Sequence, residues 1–344
     1  MSTSALPSAR LRLAIPSDGA MYEPTLAFLA ACGIGVSRPN ARRYVGNISA
    51  VEGVEVVFQR ARDITGHVEA ANAHAGFVGY DDFQERRIEG GDTEIVLQDL
   101  GFGRCELVAA VPEAWVDVES MADLADLAVE FRESGRELRI ATKAQRLARR
   151  FLFNHGVNYF SMPQVSGALE AAPAMGHADI IIDVTATGTT LRENRLKRLV
   201  DGLVIRSEGC LVVNLRALAA RPDALEAARE IIERVEAHRR AEGYLRVTAN
   251  IEGASEAAVA AKVLERGEAA GLRGPTVSPV FTADGGSWHA VTVLAHRANL
   301  AAIVDHFRAI GGVSVTISEA GYVFGQESGA YRALLAAMED RCGS

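Results

Sequence analysis

The 344-residue sequence predicts an α/β protein in two parts, a layered α/β region to about residue 243 and a smaller ferredoxin-like βαββαβ unit after it. Three observations predict it. Short apolar runs alternate with amphipathic stretches from residue 10 to about 215. A long helical pattern then closes that region, and beyond Gly243 the order of segments becomes strand, helix, strand, strand, helix, strand.

The expected strands of the first part are LRLAIP (11–16), VEVVFQ (54–59), AGFVGY (75–80), CELVAAVP (105–112), LRIAT (138–142), ADIIID (178–183) and CLVVNL (210–215). Helices fill the intervals. LAVEFRESGREL leads into the strand at 138, and AQRLARRFLFNHG follows it with Leu147, Phe151 and Leu152 on one side. In RPDALEAAREIIERVEAHRRAEG, Asp223 sits where an N-cap belongs, and Leu225, Ala228, Ile232 and Val235 recur at spacings of three and four. In the second part YLRVTANIE reads as a strand and SEAAVAAKVLERGEAAG as a helix. PTVSPVF and WHAVTVLA then flank the turn TADGGS, and a helix ANLAAIVDHFRAIG precedes the strand VSVTIS. Leu300, Ile303, Val304 and Phe307 supply that helix's buried face. GQESGAYRALLAAMED adds a helical tail whose function the sequence does not declare.

Composition narrows the class. Apolar residues make up 49% of the chain and charged residues 23%, with no apolar run long enough to span a bilayer, so a soluble protein is expected and a membrane role is not. The N-terminal stretch has no apolar segment of signal-peptide length, which points to a cytoplasmic protein. Cys32, Cys105, Cys210 and Cys342 are scattered without CxxC pairing or zinc spacing and read as reduced thiols. A net charge of −8 argues against a broad nucleic-acid surface while leaving room for a small basic pocket.

The stretch IIIDVTATGTTLREN (180–194) carries the most chemistry. Three isoleucines run into Asp183, followed by Thr185, Ala186, Thr187, Gly188, Thr189 and Thr190 and then a helix led by Leu191 and Arg192. Such a turn can aim several backbone N–H groups and hydroxyls at one anion. An acid at the strand end accepts hydrogen bonds from two vicinal hydroxyls, so the pair suits a ribose 5-phosphate. A Thr-rich turn with an Asp that merely caps the next helix fits the same pattern.

DVTATGTTLREN resembles the phosphoribosyl-diphosphate (PRPP) loop of the ATP phosphoribosyltransferases, which open histidine biosynthesis. FQRARDI (58–64), DLGFGRCELV (99–108), LRIATK (138–143), SGALEAAPAMGHADIIID (166–183) and PTVSPV (275–280) are similar to that family in order and spacing. The resemblance implies a two-lobed catalytic unit folded like a type II periplasmic binding protein, the chain crossing twice between lobes: lobe I at 1–110 with 205–243 returning to it, lobe II at 111–204. It implies an ACT-like regulatory unit at 244–325, a tail at 326–344, Mg²⁺ as cofactor, a homo-hexamer and feedback inhibition by histidine. The implied reaction joins N1 of ATP to C1 of PRPP with release of pyrophosphate. Thr187 to Thr190 would hold the 5-phosphate, with Thr185 and Ala186 completing the loop, and Asp183 the ribose hydroxyls. Glu170 would stand near the ribose and the metal-bound pyrophosphate. Gly19, Arg60, Arg62 and Lys143 would serve ATP or pyrophosphate, and Leu272, Thr276 and Ser314 would line the histidine pocket. Glu170 also reads as a helix-surface acid and Arg60 and Arg62 as surface ion pairs. Arg104 suits either lobe packing or substrate.

The sequence departs from the family at the nucleotide side. The family commonly has a Lys, a Gly and an Arg after the first strand, whereas this chain has Ser17, Asp18, Gly19 and Ala20. The Tyr-Pro that usually follows Lys143 is replaced by Ala144 and Gln145, with Arg146, Arg149 and Arg150 keeping the region cationic. His74 stands where an Asp is common and reads as structural, and Thr248 stands where an acid would best meet the inhibitor's amino group. Two further readings therefore stand beside the enzyme: a non-catalytic ribose-phosphate or nucleotide-binding relative, and a plain solute-binding receptor, which the TGTT loop disfavours.

Overall fold

The computed structural model describes residues 10–342 except 41, 42, 166 and 284 and the side chain of Cys342. The signal-peptide expectation for residues 1–9 and Asp284 of the expected turn lie outside the described residues. The chain divides into two compact units, Met1–Ile231 with Ala330–Ser344, and Ile232–Gly329.

The first unit begins with β1 (Leu11–Pro16), α1 (Tyr22–Ala31), β2 (Val36–Ser37), β3 (Val45–Ile48), β4 (Val54–Gln59), α2 (Ala61–Glu69), β5 (Ala75–Gly79), α3 (Tyr80–Arg86) and β6 (Thr93–Leu97). The chain then crosses to β7 (Cys105–Pro112), α4 (Met121–Glu133), β8 (Leu138–Thr142), α5 (Gln145–Asn154), β9 (Phe160–Ser161), a 3₁₀ turn at Leu169–Ala171, β10 (Ile180–Thr185), α6 (Thr189–Glu193) and β11 (Leu196–Ser207). It returns through β12 (Gly209–Asn214), α7 (Leu215–Ala219) and α8 (Pro222–Glu242). One sheet has the order β2-β3-β4-β1-β5-β12-β6 and the other β11-β7-β10-β8-β9, so the chain passes between sheets twice.

The first passage lies between Leu97 and Cys105. The expected lobe boundary at 110 falls inside β7, and β7 belongs to the second sheet because it pairs with β10 and β11. Five strands were not expected. β2 and β9 have two residues each, and β11 contains Asp201-Gly202, a turn-like pair where its register with β7 breaks. The carboxylate of Asp201 leaves the ladder to accept the Met121 N–H at the start of α4, 2.8 Å away. β3 and β6 carry no clear strand signal in the sequence. Asp223 is not an N-cap: α8 starts at Pro222, whose missing N–H suits the first helical position, and Asp223 lies in the first turn, paired with Arg221 at 2.6 Å.

Residues Ile180, Ile181 and Ile182 show why β10 begins as an unbroken apolar run. It is a central strand covered on both faces. Ile180 and Ile182 pack with Leu124 of α4 and Leu147 and Phe151 of α5. Ile181 packs on the opposite face with Leu169, Leu191 and Leu196. Burial of each such side chain is worth about 1.5–3 kcal/mol, so the register is strongly fixed up to Asp183.

The second unit contains β13 (Tyr244–Glu252), α9 (Glu256–Leu264), a 3₁₀ turn at Gly267–Ala270, β14 (Thr276–Val280), β15 (Trp288–His296), α10 (Leu300–Ala309) and β16 (Val313–Glu319). The sheet order is β14-β15-β13-β16, all antiparallel, the split arrangement expected of βαββαβ. Ile303 and Phe307 are buried against Val247, Ala249, Val291 and Val293, while Leu300 packs at the margin. The final helix, α11 (Gly329–Cys342), groups with the first unit, where Arg341 donates to the carbonyl of Gly90 at 2.7 Å.

Candidate active site

Parallel strands place their following loops along one edge, and ligands in such sheets bind outside the carboxyl ends. In the second sheet β10 runs parallel to β8, with Ile182 beside Thr142, so Asp183 follows directly where β10 passes the end of β8 and Lys143 leaves it. Glu170, in the 3₁₀ turn ahead of β10, completes the group. Burial pushes the Asp183 carboxyl above the ordinary carboxylate range; the Val184 N–H and the Lys143 charge pull it down and the Glu170 charge pushes it up. The Val184 N–H bond to Asp183 Oδ1 is 2.9 Å. These three predicted residues are therefore brought together.

The loop after Asp183 is organised by its own threonines. Gly188 adopts φ +72° and donates its N–H to Thr185 Oγ1 at 2.9 Å, and the Thr187 and Thr189 hydroxyls lie 3.0 Å apart. The N–H groups of Ala186, Thr187 and Thr190 have no acceptor among the described residues. Arg192 folds back over the turn, its guanidinium donating to Thr189 Oγ1 at 3.1 Å and approaching the Thr187 carbonyl at 3.4 Å. The loop forms one wall of a cavity of about 370 Å³ that Glu106, Glu113, Leu191, Arg192 and Leu196 to Arg198 complete. Arg198 pairs with Glu106, which also holds Arg206 at 3.2 Å. Nothing in the sequence marked Glu106 or Arg198. Arg192 was visible, four residues beyond Gly188.

In the first sheet β1 and β4 are parallel neighbours, with Pro16 beside Gln59. The Ser17 N–H donates to the Gln59 carbonyl at 2.7 Å, so the 17–20 turn and Arg60 leave the sheet together. Gly19 has φ +76°, and Arg60 is exposed with no ion-pair partner among the described residues. Arg62 instead lies 3.7 Å from Asp63 and lines a shallow hollow with Glu85 and Arg86. Arg146 is committed to the Arg87 carbonyl at 2.6 Å, while Arg149 and Arg150 are exposed on α5. Arg104 pairs with Glu208 at 3.0 Å, tying the two crossing segments together.

The carboxyl end of β5 carries Asp81 and Asp82, neither of which belongs to a motif visible in the sequence. Ser207, at the second crossing, donates its hydroxyl to Asp81 at 2.5 Å and accepts the Asp81 N–H at 3.0 Å. Burial and the Asp81 charge push the Asp82 carboxyl up to about 6, against the pull of Arg86. His74 is structural, as expected: its Nδ1 accepts the Arg12 N–H at 2.9 Å, and burial, with Arg221 and Arg12, holds it below the ordinary histidine value.

The ATP phosphoribosyltransferase family model matches residues 60–237, and the model of the HisG C-terminal domain matches residues 241–319. The chain belongs to the ATP phosphoribosyltransferase family. ATP phosphoribosyltransferase 2, chloroplastic, from Arabidopsis thaliana is 36% identical over 340 residues, covering 97% of this chain and 82% of its own length. The ATP phosphoribosyltransferase of Bradyrhizobium diazoefficiens is 35% identical over 323 residues, 93% of this chain and 96% of its own. A chain of the ATP phosphoribosyl transferase (HisG:HisZ) complex from Thermotoga maritima superposes with a TM-score of 0.50 at 23% identity, over 66% of this chain and 98% of its own, and shares the fold.

Within this ATP phosphoribosyltransferase-family chain the three residues expected at a histidine pocket do not converge. Leu272 donates its N–H to the Leu294 carbonyl, and Thr276 opens the edge strand β14. Ser314, with φ +54°, sits on β16 at the opposite edge. Three strand spacings, about 14 Å, separate those edges. Thr248 shares a hydroxyl contact of 3.0 Å with Thr292 between them. Among the described residues no helix is long and apolar enough to cross a membrane, and Cys32, Cys105 and Cys210 are not joined in disulfides.

Proposed function

We infer that the two sheets of the first unit hold the two halves of a phosphoribosyl transfer. The chain is an ATP phosphoribosyltransferase, the enzyme that opens histidine biosynthesis. The observation that supports the site assignment is the convergence of Asp183, Glu170 and Lys143 just ahead of a loop with unclaimed amides.

In this reading Ala186 to Thr190 hold the 5-phosphate of PRPP through N–H groups and hydroxyls, and Asp183 accepts hydrogen bonds from the ribose hydroxyls. The adenine of ATP approaches from the carboxyl ends of β1 and β4, where Gly19 leaves room and Arg60 supplies a cation. Arg62 is a weaker candidate because of its Asp63 contact. The bond from C1 to pyrophosphate breaks as the bond from adenine N1 to C1 forms. Little proton transfer is needed, so rate enhancement comes from alignment and from charge placed before the reaction.

Magnesium fits the donor chemistry. Glu170 and Asp183 offer hard carboxylate oxygens, the type it takes, with the remaining positions left to substrate oxygens. An ion held there would supply charge neutralisation for the departing pyrophosphate. We place lobe I in the first sheet, lobe II in the second and an ACT-like regulatory role in residues 244–325. A cytoplasmic location, a homo-hexamer and histidine inhibition belong to the same proposal.

The test mixes the protein with ATP, PRPP and Mg²⁺, adds pyrophosphatase, and follows the absorbance of N1-substituted adenine. Turnover is expected, and Asp183→Ala should weaken PRPP binding by about 1–3 kcal/mol. Unchanged affinity in that variant would remove Asp183 from the site.

A further inference from the structure

We propose that Glu85 is a positioning residue that sets the angle between the two sheets and so aligns the halves of the transfer site. The inference rests on the transferase reading above. α5 starts directly after the Lys143 loop, and its N-cap is Ala144, which has no side-chain acceptor to offer. The missing cap comes from the other sheet's layer. The carboxylate of Glu85, on α3, accepts the N–H of Arg146 at 2.9 Å through Oε1 and the N–H of Leu147 at 2.9 Å through Oε2. Arg146 answers by donating its guanidinium to the Arg87 carbonyl, just past the end of α3, at 2.6 Å.

The location gives this clasp its consequence. α3 follows the carboxyl end of β5 and α5 follows the carboxyl end of β8, so the clasp joins the two edges at which substrates are expected. It is distinct from the crossing segments, which meet at Arg104, Phe102, Glu208 and Gly209. Two charge-assisted bonds at a helix N-terminus are stronger and better directed than neutral ones. With Thr142 Oγ1 accepting the Ala144 N–H at 3.0 Å, the loop carrying Lys143 is held at both ends. Lys143 is the cation whose charge reaches Asp183. Glu85 thus acts on the reaction through the α5 start and does not touch substrate itself.

The test uses the full chain. Nitroxides at Glu52→Cys and Glu133→Cys, one in each sheet's layer, report the inter-sheet distance by electron-electron dipolar spectroscopy, in a background carrying Cys105→Ser and Cys342→Ser. Glu85→Ala should broaden and shift that distribution and lower kcat on the order of tenfold, because small misalignments of reacting groups are costly. The KM for PRPP should change less than kcat, since the contacts of the 186–190 loop are untouched and only the Lys143 side of that site is loosened. Glu85→Gln keeps one acceptor and should recover part of both losses, which also guards against a misfolded alanine variant. An unchanged distance distribution with unchanged kcat overturns the proposal, as does a loss confined to thermal stability. Failure of the unsubstituted protein to turn over ATP and PRPP would instead strike the functional reading, and the distance measurement would still decide whether Glu85 sets the angle.

Discussion

Asp183 stands where three buried isoleucines end, and its own burial raises the carboxyl's affinity for a proton. A carboxyl with a folded-state value above its unfolded value contributes stability at low pH, and that contribution disappears as pH rises through the folded value. Near neutral pH the ionised Asp183 therefore weakens the free protein, as expected of a group kept for ligand binding. Asp183→Asn should raise the Tm near pH 7.5 by about 1–3 °C, the gain shrinking as pH falls toward 5, measured by calorimetric scans across that range. A lower Tm at pH 7.5 would contradict the sign. This residue was legible because an acid ending an apolar run is a local signal. Glu85 and Glu106 were not, since their partners lie 61 and 92 residues away and no local pattern marks such pairs.

At the scale of elements, the loop from 185 to 190 works because one glycine permits its turn. Gly188 has φ +72°, a conformation that costs a residue with a Cβ about 1–2 kcal/mol, and a Cβ there would lie 3.2 Å from the Arg192 guanidinium. Gly188→Ala should therefore lower the Tm modestly and raise the KM for PRPP on the order of tenfold, because the Gly188 amide and Arg192 both shift. Steady-state kinetics with PRPP varied would check it, and an unchanged KM would mean the loop does not touch that substrate. The long central strands were readable from continuous apolar runs, as were the amphipathic helices. The edge strands were not: β2 and β9 are too short to show a period, and β11 hides its extent behind Asp201 and Gly202, the first of which serves the start of α4. The α5 start was invisible for a related reason, since its capping group comes from another layer.

At the scale of the whole molecule, the second unit sets a geometric condition on inhibition. Leu272 and Thr276 lie at one edge of its sheet and Ser314 at the other, about 14 Å apart across three strand spacings. A free amino acid is shorter than that distance, so one histidine bound to a single chain is expected to touch one edge rather than both. If the three do line one pocket, a second copy must supply part of it, and binding of histidine must favour the associated state by mass action. Two measurements follow. Calorimetry at high protein concentration should show heat on adding histidine, and sedimentation at low concentration should show histidine shifting the protein toward larger species. The two effects stand or fall together. Heat at concentrations where sedimentation finds only single chains would place the pocket within one chain and exclude either the Leu272 and Thr276 edge or the Ser314 edge from it.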